Sequence, residues 1–352
     1  MSERILSVDG LRTVFKTNQG DVTAVDGVSF DVDEGEIVGI VGESGSGKTV
    51  TAKSILRLIR SPGEITDGTI EFRGENVLEF DEQRLREARG RDTGMVFQNV
   101  SNSFNPTKTV WWQLRNIVEQ NTDLESDLPS LFSRLKGDAA HPRDEIDEAI
   151  AELFTDVGIP GGSERREDYP HEFSGGMLQR SLIAMVLGCK PDLIIADEPT
   201  TNLDVTVEAQ ILKLLWKLRQ ELGTTILFIT HDLGVVSELC DRVIVMYSGR
   251  IVEEGPLEDI FDAPKHPYTQ GLLRSIPRLD SDEEFLTQID GTVPSPLDLP
   301  AGCRFAPRCP AATEECHEID PEMRTVGNGT TACHLYPSDG SASQQEEVNF
   351  DE

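Results

Sequence analysis

A chain of 352 residues has room for one large domain with a sizeable core and a smaller companion. Apolar residues at 38% and charged residues at 27% suit a globular protein, and no apolar run is long enough to span a bilayer. Asp and Glu number 63 against 32 Lys and Arg, a net charge of -31, which repels a phosphate backbone and argues against direct nucleic-acid binding. Such an acidic coat suits a very salty cytoplasm, where counterions screen its self-repulsion, so a halophilic protein is expected. The opening stretch, MSERILSVDG, has no basic segment followed by an apolar one. A cytosolic protein with reduced thiols is therefore expected, and the glycosylation-like triplets at Asn99 and Asn328 carry little weight.

In chain order, Ile5 to Phe15 and Val22 to Val32 alternate apolar with polar residues and predict an antiparallel layer. Ile37 to Val41 is a short apolar run and predicts a buried strand. It runs into Gly42-Glu43-Ser44-Gly45-Ser46-Gly47-Lys48-Thr49, which fits G-x-x-x-x-G-K-[ST]. The glycines let the backbone turn its N–H groups toward a phosphate, and a helix is expected to start near Lys48 with its positive end at the same anion. Lys48 adds a point charge and the Thr49 hydroxyl suits Mg²⁺. Residues 1 to about 98 and about 188 to 262 predict an α/β core with a partly parallel sheet, and about 99–187 a mainly helical part. The charged stretch over about 120–145 reads as a surface insertion.

Within the helical part, Phe173 to Arg180 reads FSGGMLQR. Ser174, Gly175 and Gly176 predict a turn opening a helix over Met177–Leu187, a second anion site on the same chain. One nucleotide cannot use both sites if they are far apart, so two chains facing each other are the natural solution. Leu193 to Ala196 then predicts a buried strand ending in Asp197 and Glu198. One acid there suits a Mg²⁺ partner, and its neighbour can accept a proton from attacking water.

This order of motifs resembles the ATP-binding subunit of ABC transporters: phosphate loop, Gln98 in MVFQN, the signature at Ser174 to Gln179, the acidic pair, TTNLD ending at Asp204, and THD with His231. The resemblance runs over about residues 4–338. It implies an ABC-type nucleotide-binding domain, a phosphate-loop core with an antiparallel β layer and a helical subdomain. It implies head-to-tail pairing of two such subunits around ATP and Mg²⁺. Gly42, Glu43, Ser44, Gly45, Ser46, Gly47, Lys48 and Thr49 would bind ATP, and Phe15 is a candidate for stacking on adenine. Glu198, His231 and Gln98 would be catalytic, while Thr49, Gln98 and Asp197 would serve Mg²⁺. Ser174, Gly175, Gly176, Met177 and Gln179 would face the partner's ATP, and Asp204 would lie at the interface. Phe173 and Met177 depart from the commonest Leu-Ser-Gly-Gly-Gln form of the signature. The segment after Gln98, with Trp111 and Trp112, is where the family receives helices from its membrane subunits; filling of the helical core is the other reading of either Trp.

After Gly255, the run His266-Pro267-Tyr268-Thr269 resembles the oligopeptide/dipeptide importer branch. That resemblance implies a peptide importer at the cytoplasmic face of the membrane, with two permease subunits, an extracellular solute-binding protein and a second ATPase subunit, expected as a paralogous partner. A soluble ABC ATPase of translation or repair is one alternative, and a nickel or other small-solute importer is another. The expected domains are 1–262 for the ATPase, 263–337 for a small Cys-containing C-terminal extension, and 338–352 for a disordered acidic tail. Cys303, Cys309, Cys316 and Cys333 follow C-x5-C-x6-C-x16-C on a proline-stiffened segment, without the C-x2-C pairs usual for zinc. Four thiolates suit an iron–sulfur cluster or Zn²⁺, with free thiols as the third reading. In the peptide-importer branch this tail resembles one that holds a [4Fe-4S] cluster. Its position beyond the last ATP motif predicts a role apart from ATP hydrolysis. Cys189 and Cys240, in apolar surroundings, read as core.

Overall fold

The computed structural model describes residues 3–98, 100–121, 142–201, 203–276 and 289–336. The expected insertion falls almost wholly, and the acidic tail wholly, outside the described residues, as do Asn99 and Asn202. The chain begins with β1 (Arg4–Thr17), β2 (Gly20–Asp33), β3 (Ile37–Val41), α1 (Lys48–Ile55), β4 (Gly63–Phe72) and β5 (Glu75–Asn76). There follow α2 (Glu82–Glu87), β6 (Thr93–Val96), α3 (Val110–Asn121), α4 (Pro142–Asp156), α5 (Gly175–Gly188), β7 (Leu193–Asp197), α6 (Val205–Leu222) and β8 (Thr225–Thr230). The last part holds α7 (Leu233–Leu239), β9 (Arg242–Tyr247), β10 (Arg250–Pro256), α8 (Leu257–Asp262), α9 (Pro267–Arg274), α10 (Glu314–Glu318), β11 (Arg324–Val326) and β12 (Gly329–Thr331). No helix among the described residues is long and apolar enough to cross a membrane.

Contacts divide the chain into two compact units, one of residues 1–33, 37–79 and 228–352, the other of 34–36 and 80–227. In the first unit β1 pairs antiparallel with β2 and with β4, and β5 completes that sheet. The alternation read over Ile5–Phe15 is the cause: Ile5, Leu6, Val8 and Leu11 are buried while polar neighbours face water. The same unit holds the strand run β11-β12-β10-β9-β3. Within it β3 and β9 are parallel, with Val38 opposite Arg242 and Val41 opposite Val245. Every residue of β3 is buried, as an apolar strand covered on both faces requires.

In the second unit β6 and β7 pair in parallel, Thr93 opposite Leu193. Helices α3, α4 and α5 pack together around Trp111, Leu114, Phe154 and Ile183, all buried. Trp111 meets Phe154 edge-on at 5.6 Å, and its indole N–H donates to Asp147 at 3.0 Å. Trp112 on the same helix is 47% exposed. Of the two tryptophans, Trp111 thus fills the helical core, and Trp112 is exposed. Cys240 is buried and Cys189 half-buried, and burial pushes the Cys189 thiol up to about 11, the behaviour of inert core thiols.

Candidate active site

The phosphate loop is built where β3 ends in the first unit. Gly42 has φ +153°, and a Cβ there would stand 2.1 Å from the Met246 carbonyl oxygen of β9. Gly47 has φ +103°, and a Cβ there would stand 2.5 Å from the Ala24 carbonyl oxygen. These two glycines are thus fixed by close backbone approach as well as by their left-handed angles. The loop folds back through Ser46 N–H to the Glu43 carbonyl at 3.1 Å, and Gly249 N–H donates to the Ser46 carbonyl at 2.8 Å. Helix α1 starts at Lys48, as the sequence predicts, and its first-turn amides are the ones a helix leaves without internal partners. Lys48 is 4% exposed; its ammonium donates to the carbonyls of Gly42 at 2.6 Å and Glu43 at 3.0 Å. Its charge is therefore folded into the loop's own curve.

Also in this unit, His231 follows β8 and is exposed, and Asp232 caps α7 by accepting from Gly234 N–H at 2.8 Å. Phe15 is half-buried on β1, and a Cβ at Gly63 would press on its ring at 2.6 Å. It lies opposite Val22 of β2 and Gly63 of β4, the neighbours of a packed sheet residue.

The acidic pair belongs to the second unit. Asp197 is buried at the end of β7, and Glu198 follows with φ +48°, a left-handed angle that an L-residue keeps only when its surroundings enforce it. Two neutral groups help to do so: Gln98 Nε2 donates to Glu198 Oε2 at 2.7 Å, and the Thr201 hydroxyl donates to the same oxygen at 3.0 Å. The structure thus brings together Gln98 and Glu198, which the sequence separates by a hundred positions. Thr201 is a partner that sequence reading missed. Its only signal was the Thr-Thr-Asn run itself.

Helix α5 opens at Gly175, two residues ahead of the expected start, because the Ser174 side chain accepts from Met177 N–H at 3.3 Å and caps it. Ser174 and Gly175 are exposed, Met177 is half-buried, and Gln179 is buried with no partner for its Nε2 among the described residues. A Cβ on Gly176 would meet Val207 at 3.1 Å, which sets the signature turn beside the first turn of α6, itself capped by Asp204 through Val207 N–H at 3.0 Å.

Residues 25–201 match the family model described as ABC transporter, and 252–316 match the oligopeptide/dipeptide transporter C-terminal region. A Brucella ovis protein, named as a candidate peptide import ATP-binding protein, is 48% identical over 334 residues, covering 92% of this chain and 94% of that relative. The chain belongs to the ABC transporter family. It is an ATPase subunit with the ABC ATPase fold of mixed α/β sheets. The oligopeptide transport ATP-binding protein AppD of Bacillus subtilis is 43% identical over 96% of this chain and 98% of its own length. Among solved structures, the dimeric ATP-binding cassette MJ0796 in a post-hydrolysis state with ADP and Pi is similar at 26% identity and TM-score 0.59, over 72% of this chain and 99% of that one.

The C-terminal segment of this ABC chain brings its cysteines together. Cys303, Cys309, Cys316 and Cys333, all free thiols, line one small cavity with His266 and Phe305. Burial pushes the thiols of Cys309 and Cys333 up to about 12. His266 Nδ1 accepts from Tyr268 N–H at 3.0 Å, which leaves the proton of the neutral ring on Nε2; that nitrogen is buried with no protein partner among the described residues. Burial depresses the His266 ring to about 3, so it stays neutral. Among the described residues, no three His, Cys, Asp or Glu side chains are placed as a group that could hold a metal ion.

Proposed function

We propose that the chain is the ATP-hydrolysing subunit of a peptide importer, working at the cytoplasmic face of the membrane with permease subunits, an extracellular solute-binding protein and a second ATPase subunit. The match of residues 252–316 to the oligopeptide/dipeptide transporter C-terminal region carries this reading. The relatives' names, oligopeptide and dipeptide transport ATP-binding proteins, agree with it. Deleting the gene should abolish uptake of a labelled peptide, with rescue by the wild-type chain but not by Glu198→Gln. Unchanged peptide uptake in the deletion strain would overturn the substrate class.

The site roles are those that the family resemblance implies, and they suit phosphoryl-transfer chemistry. Gly42 to Thr49 cradle the phosphates, and Thr49, Gln98 and Asp197 are assigned to Mg²⁺: a hydroxyl, an amide and a carboxylate offer the hard oxygens that ion takes. When bound, the ion neutralises charge on the β- and γ-phosphate oxygens. The Gln98 amide nitrogen is spent on Glu198, so its carbonyl oxygen is the end left for the metal. Glu198 orients the attacking water and takes its proton, and His231 contacts the γ-phosphate. Ser174, Gly175, Gly176, Met177 and Gln179 serve the partner's ATP, Asp204 the interface, and Phe15 is kept as an adenine contact. The work is positioning and charge stabilisation, without a covalent intermediate.

We infer further that residues 263–337 form the C-terminal extension and that its four cysteines hold a [4Fe-4S] cluster. Two observations support the fit: four thiols around one cavity, and the orphaned His266 Nε2–H, a donor that a cluster sulfur would satisfy. Protein purified without oxygen should contain about four irons and four sulfides per chain, as four-thiolate clusters do. Stoichiometric zinc without iron would overturn it. The net charge of -31 is read as adaptation to salt, so the unfolding midpoint should climb with KCl.

A further inference from the structure

In sequence the cysteine segment lies far beyond the last ATP motif, and a separate role is the expectation. In space it does not stand apart. Arg308, immediately before Cys309, reaches the second residue of the phosphate loop, Glu43, 265 positions away. Its Nη1 donates to Glu43 Oε2 at 2.7 Å and its Nη2 to Oε1 at 3.1 Å, a two-pronged pair. The guanidinium's side chain is only 4% exposed, and all five of its N–H donors are used. Besides the carboxylate they reach the Tyr247 hydroxyl at 3.3 Å, the Asp290 carbonyl at 2.9 Å and the Ile289 carbonyl at 3.0 Å. A buried cation with every donor engaged is a rigid anchor.

Glu43 is bonded through every polar group it has. Its carboxylate meets Arg308. Its N–H donates to the hydroxyl of Tyr268, a fully buried residue of α9, at 2.8 Å. Its carbonyl accepts from Ser46 N–H and from the Lys48 ammonium. Glu43 therefore connects the loop's internal curve to two residues of the C-terminal segment. Arg308 is in turn tied to the cysteines: a tight turn over Ala306–Arg308 joins Cys303 to Cys309, through Ala306 N–H to the Cys303 carbonyl and Cys309 N–H to the Ala306 carbonyl.

We propose that Arg308 is a positioning residue for nucleotide binding: with Tyr268 it clamps Glu43, so that the cysteine-bearing segment sets the shape of the phosphate loop. The inference rests on the reading that Gly42 to Thr49 hold the nucleotide. An ordinary structural staple between two parts of a fold would lower thermal stability alone. A positioning role also changes the affinity of the folded protein for ATP.

The test measures the MgATP dissociation constant of the full chain by calorimetry, with KM and the melting temperature alongside. Glu43→Gln removes the charge with little change of shape. It should raise Kd and KM together, about fivefold, the size of a coupling between directly bonded groups. Arg308→Ala should match it, Arg308→Lys should recover part of the loss because an ammonium cannot reproduce the fork, and the double variant should be no worse than either single one. Where Arg308→Ala does not fold, Glu43→Gln and Tyr268→Phe carry the test. An unchanged Kd in folded Glu43→Gln, or additive losses in the double variant, would overturn the proposal. Lys48→Ala is the check on the underlying reading: if it binds ATP normally, the loop is not the nucleotide site, whereas if it loses ATP and Glu43→Gln does not, the positioning role alone fails.

Discussion

Two glutamates sit just past the ends of two buried strands, Glu43 after β3 and Glu198 after β7, and they are held in opposite ways. Both oxygens of Glu43 are engaged by one buried guanidinium. Glu198 is oriented by two neutral donors, Gln98 and Thr201, which converge on a single oxygen, on a backbone kept at φ +48°. A carboxylate locked in a forked ion pair shapes its surroundings. One aimed by neutral hydrogen bonds is placed to act on a substrate. The contrast matches the division proposed above, between a binding element shaped by its ion pair and a chemical element aimed by hydrogen bonds.

The strongest way to break the contrast is at Gly42. A methyl group there collides with the Met246 carbonyl oxygen and sits at φ +153°. Gly42→Ala should abolish ATP binding and lower stability by about 1–3 kcal/mol, the range for enforced backbone strain; calorimetry and thermal melting would record both. A sharper, smaller probe is Thr201→Val, which removes one of the two neutral donors while conserving volume. Turnover should fall roughly three- to tenfold, the worth of a single hydrogen bond, with MgATP affinity kept. A loss of affinity instead would blur the two elements.

The smallest expected effect concerns Asp26, which pairs with Arg304 of the cysteine segment and with Arg250 and Arg12. Burial works against its charge, but the three arginines overcome it and hold the carboxyl below its usual 3.8. A lowered folded value means that the stability from Asp26 is complete above that unfolded value. It is lost only as pH falls further, through the folded one. Chemical denaturation at pH 7 and at stepwise lower pH should show wild type losing its advantage over Asp26→Asn below about pH 4, given that reference value. An advantage lost already between pH 7 and 5 would contradict the assignment.

Much of this was legible in the chain. The strand Ile37–Val41 and the helix start at Lys48 match the reading residue for residue, because a fully apolar run and a glycine-rich turn leave little choice. The sequence pattern places the start of helix α5 two residues late, because the Ser174 cap draws Gly175 and Gly176 into the first turn. Periodicity does not register a capping hydroxyl. The Arg308–Glu43 clamp left no trace in the sequence, since each residue is ordinary within its own motif and only the tertiary fold joins them. The cysteines were read as a group, yet their link to the phosphate loop was hidden by the same distance along the chain.

The division between binding and chemistry is tested most directly by measuring MgATP affinity and ATP turnover side by side for Lys48→Ala and Glu198→Gln. The expected result is a crossing: Lys48→Ala loses affinity, while Glu198→Gln binds MgATP as wild type does and turns over at least about a hundredfold more slowly, the scale of a lost general base. Equal loss of affinity in both variants, or wild-type turnover in Glu198→Gln, would contradict it.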